Sequence, residues 1–209
     1  MVTPRLWLAI AGLAVLTACD DGTDPADSIA NLAGGTADLS TSARDNRIRF
    51  DPRHRPVFVA PDGSRRLIAS MLAPPRRMTF GASVWDDPSP GTGPIWIRVD
   101  LSRQLLSVFR GANEIGTAVI IYGTDGKETP SGTFALLGKE RMHHSSLYDA
   151  DMPFTLWLTD DGVAIHASAV ERGRATHGCI GVPADFASRL FAVARRGDAV
   201  IVLPLTNSS

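Results

Sequence analysis

The feature that most constrains the fold is a series of short β-type segments between residues 95 and 203. In the first of them, residues 95–101, Ile, Val and Leu occupy every second position, and a period of two indicates a strand with one buried face. Gly, Pro, Asn and Asp residues separate the segments at short intervals, as expected of turns. The pattern predicts a mainly β domain of the sandwich type.

One segment has helical spacing instead. Within residues 183–196, Phe186, Leu190 and Val193 recur at intervals of three or four and therefore share one face. Gly197 marks the expected end. We therefore predict one helix near the C-terminal end of the domain.

The composition excludes several classes of protein. Lys and Arg number 21 against 22 Asp and Glu, so the net charge of -1 leaves no basic surplus for binding nucleic acid. A hydrophobic fraction of 44% is typical of a globular protein and excludes a wholly disordered chain. Two cysteines permit at most one disulfide, which excludes a disulfide-stapled scaffold.

The N-terminus has the layout of an export signal. Residues 6–16 are apolar and follow a single basic residue, Arg5; the stretch is shorter than the ~20 residues that a membrane-spanning helix needs. Residues 16–19, Leu-Thr-Ala-Cys, resemble the lipobox of bacterial lipoproteins. The resemblance implies that residues 1–18 are a signal peptide and that Cys19 is lipidated. The alternative is a plain secretory signal that contains a Cys.

A lipid anchor at Cys19 implies attachment to a membrane on the periplasmic side of the cell envelope. Asp20, directly after the anchor, favours the inner membrane by the rule of enteric bacteria, and the outer membrane is the alternative. Lipidation also leaves Cys179 as the one thiol of the folded part, and a lone thiol in an exported protein is a candidate reactive group.

Two stretches of opposite charge precede the β-rich region. Residues 20–42 hold five acidic residues, no basic residue and few apolar ones, which is typical of a flexible tether. Residues 44–77 hold nine Arg and three Asp, with short apolar pieces interrupted by Pro and Arg. We expect irregular structure packed loosely on the main domain there. Its charge suits either anionic lipid headgroups or a solvated surface.

A linker rich in Pro, Gly and Ser, residues 86–94, marks the start of the main domain. The main domain has about 115 residues, an ordinary size for a single domain. The predicted organisation is a signal peptide at 1–18, the lipidated Cys with tether and Arg-rich segment at 19–92, the main domain at 93–205 and a tail at 206–209.

A nucleophile and two candidate bases lie close together within residues 165–182. These are Cys179, His166 and His177, and a thiolate needs a base within hydrogen-bond reach. Because a helix is predicted to begin just after this stretch, its N-terminal field is expected to lower the pKa of the thiol. Gly178 permits a tight turn that leaves backbone N–H groups to face an oxyanion.

Two other interpretations stay open on spacing alone. The first is a zinc site made of His166, His177 and Cys179, although no fourth ligand has a finger-like spacing. The second is that Cys179 is a small buried apolar residue and that both His are ordinary residues at strand ends.

Several motifs in a fixed order favour the nucleophile. Residues 176–180, Thr-His-Gly-Cys-Ile, follow a strand that ends in Ile165-His166, and they resemble the signature of the L,D-transpeptidase family, the YkuD-type peptidoglycan enzymes. Residues 97–104 resemble the family's opening strand pair, and residues 129–134, Thr-Pro-Ser-Gly-Thr-Phe, resemble its turn motif. The resemblance covers residues 93–204. It implies a β-sandwich of the L,D-transpeptidase catalytic domain type, with one helix after the catalytic Cys.

The resemblance also implies roles for the site residues. Cys179 is the nucleophile, and His166 is the general base, oriented by a backbone carbonyl that corresponds here to that of Ala167. His177 is the third catalytic residue and lines the site. The implied substrate and oxyanion contacts are Gly178, Tyr148 and Thr176. The family requires no metal and no organic cofactor.

The implied substrate is a peptidoglycan stem peptide. The Cys attacks the carbonyl on the L-centre of the third residue, meso-diaminopimelate, and releases the terminal D-Ala. An amine of another stem peptide then gives a 3-3 cross-link, an amine of an envelope protein gives a protein–wall link, and water gives hydrolysis. The alternatives are an L,D-carboxypeptidase or endopeptidase on the same fold, and a non-catalytic wall-binding lipoprotein.

Two departures from the family pattern bear on selectivity. Gly181 stands two residues after the Cys, where the family usually has Arg or Asn, and the stretch from His166 to Thr176 is a few residues shorter than is common. We expect the first departure to weaken acceptor selection more than acylation, so that Gly181→Arg shifts the ratio of cross-linked to hydrolysed product. We expect the second to trim the lid over the cleft.

Overall fold

The computed structural model describes residues 40–41, 46–74, 77–87, 92–124 and 126–205. The predicted signal peptide, Cys19, most of the tether and the tail lie outside the described residues. Within the described ranges, no helix is both long and apolar enough to cross a membrane.

The described ranges contain short strands and one helix. The first strands are β1 (Ser40–Thr41), β2 (Arg47–Arg49), β3 (Val57–Val59), β4 (Arg65–Leu67), β5 (Ser70–Leu72) and β6 (Ser83–Trp85). The main domain adds β7 (Ile95–Asp100), β8 (Leu105–Arg110), β9 (Asn113–Val119), β10 (Gly132–Ala135), β11 (Gly138–Ser145), β12 (Ala150–Trp157), β13 (Ala164–Ala167), β14 (Ile180–Val182), α1 (Ala184–Val193) and β15 (Ala199–Leu203).

These strands form three sheets. The largest has the order β1-β2-β5-β9-β8-β7-β15-β10, and β6 also pairs with β9. The second has the order β11-β12-β13-β14, and β3 and β4 form a separate hairpin. Most pairs are antiparallel, whereas β13 and β14 run in parallel. The mainly β architecture with one helix confirms the predicted fold class.

The main hydrophobic core joins the two larger sheets to α1. Apolar side chains of β7, β8, β12, β13 and β14 meet one face of the helix in a single cluster. Its most buried members include Ile97, Val99, Leu106, Val108, Leu156, Ile165, Ile180, Phe186 and Leu190. Strand β13, which carries His166, and strand β14, which follows Cys179, are therefore both anchored in the core.

The helix is shorter than the sequence predicts. It spans Ala184–Val193 with Pro183 as its N-cap, and Ala194 already has an extended backbone. Phe186 and Leu190 are buried as expected. The remaining residues up to Gly197 form a turn, which returns the chain to β15.

The first strand of the main domain is buried on both faces, and here the sequence-based prediction of one exposed face is wrong. Trp96 points away from the main core, yet it is only 1% exposed. Its ring stacks on Phe109 at 4.0 Å and on Phe58 at 5.8 Å between centroids. Phe58 belongs to the β3–β4 hairpin. The N-terminal segment therefore covers the second face of β7.

The Arg-rich segment is also more ordered than expected. Strands β2 and β5 extend the large sheet, so the prediction of irregular, loosely packed structure is wrong for them. Arg47 is 1% exposed and donates hydrogen bonds to Ser70 Oγ at 3.0 Å, to Asp86 Oδ2 at 2.9 Å and to the carbonyl of Glu114. The buried guanidinium of Arg47 thus connects β2 to β5, to β9 and to the residue that follows β6.

Candidate active site

His166 lies on β13, and Cys179 immediately precedes β14, the parallel strand beside it. In the pairing of β13 with β14, His166 is opposite Gly181. Cys179 immediately precedes β14, so the same register sets it level with Ala164. Alternate residues of a strand share a face, and paired residues of adjacent strands project to the same side. The imidazole and the thiol therefore project from the same face of the sheet.

The His166 ring is held in one orientation by its own strand. The side chain is 8% exposed, and Nδ1 lies 2.9 Å from the carbonyl oxygen of Ala167. The contact predicted for this carbonyl is therefore present. Because a carbonyl can only accept, neutral His166 carries its proton on Nδ1 and leaves Nε2 free to accept one. Ser168 Oγ lies 3.4 Å from the same Nδ1.

Burial sets the resting charge of the catalytic pair. It lowers the pKa of His166, and the hydrogen bond to Ala167 acts weakly in the opposite direction. Burial also raises the pKa of the Cys179 thiol, whose Sγ lies 3.6 Å from the carbonyl of Gly162. Both shifts favour the uncharged forms. The resting pair at neutral pH is therefore a thiol and a neutral imidazole.

The structure contradicts the expectation that a helix N-terminus lowers the thiol pKa. Strand β14 separates Cys179 from α1, and a strand rises about 3.3 Å per residue. The field of a helix terminus falls off within about one turn, so the thiol is too far along the chain to benefit. The helix contributes to the site through packing, since Phe186 and Leu190 belong to the core beneath β13 and β14.

Threonine hydroxyls fix the loop that carries the nucleophile. Thr176 Oγ1 donates to the carbonyl of Cys179 at 2.5 Å, and the Thr176 N–H donates to the carbonyl of Tyr122 at 3.0 Å. On the other side, buried Thr129 donates from Oγ1 to the carbonyl of Gly178 at 2.9 Å. The same Thr129 oxygen accepts from the N–H of Gly123 at 2.9 Å. The loop is thus braced from two neighbouring segments.

These contacts extend what the sequence indicated. Thr129 is a positioning residue that sequence reasoning treated only as part of a turn motif. The hydroxyl of Thr176 serves the loop itself, and its proposed substrate contact stays a prediction. Gly178 is buried with a φ of 106°, a conformation that favours glycine. The oxyanion role of its N–H group also stays a prediction.

The tip of the β11–β12 hairpin reaches the catalytic loop. The ring of Tyr148 stacks on the exposed ring of His177, with centroids 4.3 Å apart and planes inclined by 11°. The Tyr148 hydroxyl accepts a hydrogen bond from Lys127 Nζ at 2.7 Å. The structure therefore brings His177 and Tyr148 together, as the resemblance implied for the site. It adds Lys127, which the sequence reasoning missed although it lies two residues before Thr129.

Gly181 is a steric requirement of the sheet. Its φ lies outside the left-handed region, but a Cβ at this position would lie 2.7 Å from Ile121 Cγ1 and 2.8 Å from Ser168 Cβ. Gly181 also exchanges backbone hydrogen bonds with Ile121, at 2.8 and 3.0 Å. This crowding argues against the expectation that Gly181→Arg changes acylation less than acceptor selection, because even a methyl group has no room beside the strand of His166.

The described part of the chain shows no group of three or more His, Cys, Asp or Glu side chains arranged to hold a metal ion. The strand register places His166 and Cys179 on the same face, as a base and a thiol nucleophile require. The chemistry that this arrangement supports is acyl transfer through a thioester.

Comparison with known proteins gives a match to one family. Residues 94–202 match the sequence model of the family described as YkuD, L,D-transpeptidase catalytic domain. No curated protein matches the sequence.

Solved structures of L,D-transpeptidases have a similar fold. The match to the L,D-transpeptidase (Yku) from Stackebrandtia nassauensis has a TM-score of 0.51 and 21% identity and covers 59% of this chain and 63% of that one. The match to L,D-transpeptidase 1 from Mycobacterium tuberculosis has a TM-score of 0.47 and 24% identity and covers 53% and 62%. The match to an L,D-transpeptidase from Mycobacterium smegmatis has a TM-score of 0.49 and 17% identity and covers 76% and 90%. This chain thus spans less than two thirds of the length of the first two structures.

Proposed function

Because the chain belongs to the YkuD family of L,D-transpeptidase catalytic domains, we propose that it is a peptidoglycan L,D-transpeptidase that works through a thioester on Cys179. The observation that carries the proposal is the geometry of His166. Its Nδ1 is engaged by the Ala167 carbonyl, which leaves Nε2 as the free base on the face that also bears the thiol.

The first half-reaction forms the acyl-enzyme. His166 Nε2 accepts the thiol proton as Cys179 Sγ attacks the carbonyl carbon on the L-centre of the third stem residue. Backbone N–H groups of the Gly178 turn stabilise the negative charge that develops on the carbonyl oxygen. The intermediate collapses when His166 returns the proton to the amide nitrogen, the carbon–nitrogen bond breaks and D-Ala leaves.

The second half-reaction releases the acyl group. An amine attacks the thioester carbonyl, His166 Nε2 takes a proton from that amine, and the carbon–sulfur bond breaks as the proton passes to the sulfur of Cys179. A stem-peptide amine gives a 3-3 cross-link, and an amine of an envelope protein gives a protein–wall link. In both half-reactions, His166 Nε2 carries the proton from the attacking group to the leaving group, so no other acid or base is needed.

Hydrolysis is a second candidate, and one observation favours it. Residues 171–175, between the base and the nucleophile, are all exposed, and so is His177. An open cleft admits water, which competes with an amine for the thioester. An L,D-carboxypeptidase with the same catalytic pair would then release a tripeptide.

The test uses purified protein and disaccharide tetrapeptides that contain meso-diaminopimelate, with products resolved by mass spectrometry. Cross-linked dimers support transpeptidation, and tripeptide without dimers supports the carboxypeptidase. Cys179→Ala is the matched control. Wild-type protein that gives neither product, while free D-Ala also stays absent, overturns both.

We further propose that the protein acts on the periplasmic side of the envelope, held by a lipid on Cys19. The support is the sequence alone: an apolar stretch at residues 6–16 followed by Leu-Thr-Ala-Cys. Asp20 favours the inner membrane over the outer one.

A further inference from the structure

Lys127 lies in the loop between β9 and β10 and is fixed against the catalytic loop by its backbone. A Cβ built on Gly123 would lie 2.2 Å from the carbonyl oxygen of Lys127 and 2.5 Å from the nitrogen of Gly178. The three backbone segments are therefore in close contact, with no side chain between them. This contact places Lys127 at the rim of the loop that holds Cys179.

The Lys127 side chain is held over the rim by aromatic contacts. Nζ donates to the Tyr148 hydroxyl at 2.7 Å and lies 5.4 Å from the centroid of the Tyr148 ring. That ring in turn stacks on His177, two residues before the nucleophile. An ammonium group has three donors, and this hydrogen bond uses one. The side chain is fully exposed, and the Tyr148 hydroxyl raises the pKa of Lys127, with a smaller contribution from Asp161.

We propose that Lys127 forms a carboxylate-binding subsite of the peptide cleft. The inference rests on the proposed function, because the proposed substrate carries two carboxylates close to the scissile amide. One belongs to the terminal D-Ala, and the other belongs to the D-centre of diaminopimelate. Both sources offer the same chemistry to an ammonium group positioned at the rim.

The position two residues after Cys179 makes a cation at this rim more consequential. Gly181 presents no side chain, and Ile121 and Ser168 occupy the space that a longer residue would need. A polar contact to the substrate cannot come from that position. Lys127 supplies one from the β9–β10 loop, on an element that also braces the nucleophile through Thr129.

The size of the effect follows from exposure. An ion pair between solvent-exposed groups is screened, so we expect discrimination of about three- to fivefold in kcat/KM. We expect it to appear mainly in KM, because the subsite binds a group that does not react. The effect should shrink as ionic strength rises, since salt screens exposed charges.

The experiment compares three peptides on four full-length proteins. The peptides are the meso-diaminopimelate tetrapeptide, the same peptide with a C-terminal amide, and an analogue with lysine at the third position, which lacks the side-chain carboxylate. The proteins are wild type, Lys127→Met, Lys127→Arg and Tyr148→Phe. The last removes the hydroxyl partner of Lys127 but keeps the ring on His177.

In the expected result, wild type prefers the tetrapeptide three- to fivefold over one analogue, and that analogue identifies the carboxylate. Lys127→Met abolishes the preference, whereas Lys127→Arg and Tyr148→Phe keep it. Equal losses on all three peptides in Lys127→Met, matched by Tyr148→Phe, overturn the inference and make Lys127 a support for Tyr148. Wild type that turns over none of the peptides refutes the proposed function as well, so the two failures are distinguishable.

Discussion

At the residue scale, Cys179 and His166 share a burial effect that keeps both uncharged at rest. A neutral thiol is a poor nucleophile, so attack requires the imidazole to remove the proton at the moment of reaction. The hydrogen bond from Nδ1 to Ala167 makes this possible without a carboxylate partner.

Replacing the nucleophile is expected to abolish acylation and leave the fold intact. In Cys179→Ser, the hydroxyl is a much weaker acid and a poorer nucleophile than the thiol, so it provides no thiolate for His166 to form and hold. We expect intact-mass spectrometry to show no acyl adduct with the proposed tetrapeptide substrate, and the thermal unfolding midpoint to stay within about 2 °C, since an isosteric change at a partly buried site alters stability little. An acylated Cys179→Ser protein would refute the assignment.

The pKa shifts predict the pH dependence of acylation. His166 titrates below its ordinary value of 6.5, and Cys179 titrates above its ordinary value of 9.0. The acylation rate should therefore be level near neutral pH and fall only below pH 6.5, as His166 gains a proton. His166→Gln should lose the plateau, and its residual rate should rise only above pH 9, as the thiolate forms. An acidic midpoint above pH 6.5 in wild type would contradict the lowered pKa.

The same two pKa shifts also affect the free energy of unfolding, through His166 in acid and through Cys179 in base. Below pH 6.5 the unfolded state binds a proton at His166 before the folded state does, so stability falls as pH drops from 6.5 toward the folded pKa. Above pH 9 the unfolded state loses the Cys179 proton first, so stability falls as pH rises. Urea unfolding across this range checks both signs.

Gly181 is expected to tolerate no side chain. Gly181→Ala should lower the free energy of unfolding by about 1–3 kcal/mol, because the new methyl group overlaps Ile121 and Ser168. Acylation should fall with stability, since the displaced strand carries His166. Adding Ser168→Gly should recover part of the loss in urea unfolding. If Gly181→Ala alone were as stable as wild type, β13 and β14 would separate at little cost in free energy.

At the scale of elements, the N-terminal segment packs against both the main sheet and the loop that carries Cys179. Val170, in the loop between His166 and Cys179, packs in a cluster with Met78 and Phe80 from the segment before β6. The residues before β6 therefore support the loop between His166 and Cys179, whereas the β3–β4 hairpin covers the outer face of β7.

The buried guanidinium of Arg47 gives the element-scale prediction. Arg47→Met should lower the free energy of unfolding by about 3 kcal/mol, because it leaves buried acceptors on β5 and β9 without their donor. Arg53→Met is the matched control, since Arg53 is exposed. Its expected change is within about 0.5 kcal/mol in urea unfolding. Equal losses in the two variants would show that Arg47 contributes no more than a surface residue.

The sequence could predict elements whose pattern is local. Strand β7 lies within the alternating segment at residues 95–101, and α1 has the predicted apolar face. The N-terminal strands could not be predicted, because three-residue strands carry too short a pattern and are stabilised by β9 far along the chain. Likewise, the full burial of Trp96 depends on Phe58, which no period within residues 95–101 can indicate.

The residues of the candidate site likewise fall into those that the local sequence indicates and those that depend on distant segments. Spacing and motif indicate His166 and Cys179 as candidates, and the family resemblance implied the Ala167 contact that the structure contains. Thr129 and Lys127 reach the site from another loop, and Gly181 depends on side chains from two other segments. The expected lowering of the thiol pKa was wrong, because the distance to α1 depends on β14, a strand that the pattern did not reveal.

At the scale of the whole molecule, the proposed lipid anchor gives a further prediction. Cys19→Ala should move the protein from the membrane fraction to the soluble fraction, because no acyl chain is attached. Metabolic labelling with a palmitate analogue checks the modification directly. Unchanged partitioning together with absent labelling would indicate that residues 6–16 hold the protein at the membrane by themselves.

The order of strands in the large sheet also defines how the molecule transmits tension. A pull on the chain before residue 40 first peels β1 from β2 and then loads the pair of β2 with β5, where the Arg47 contacts resist. The β13–β14 pair lies in the other sheet, off this path. With the proposed anchor on Cys19 and a substrate in the wall, such a load would reach the first strands before it reaches the sheet that carries His166.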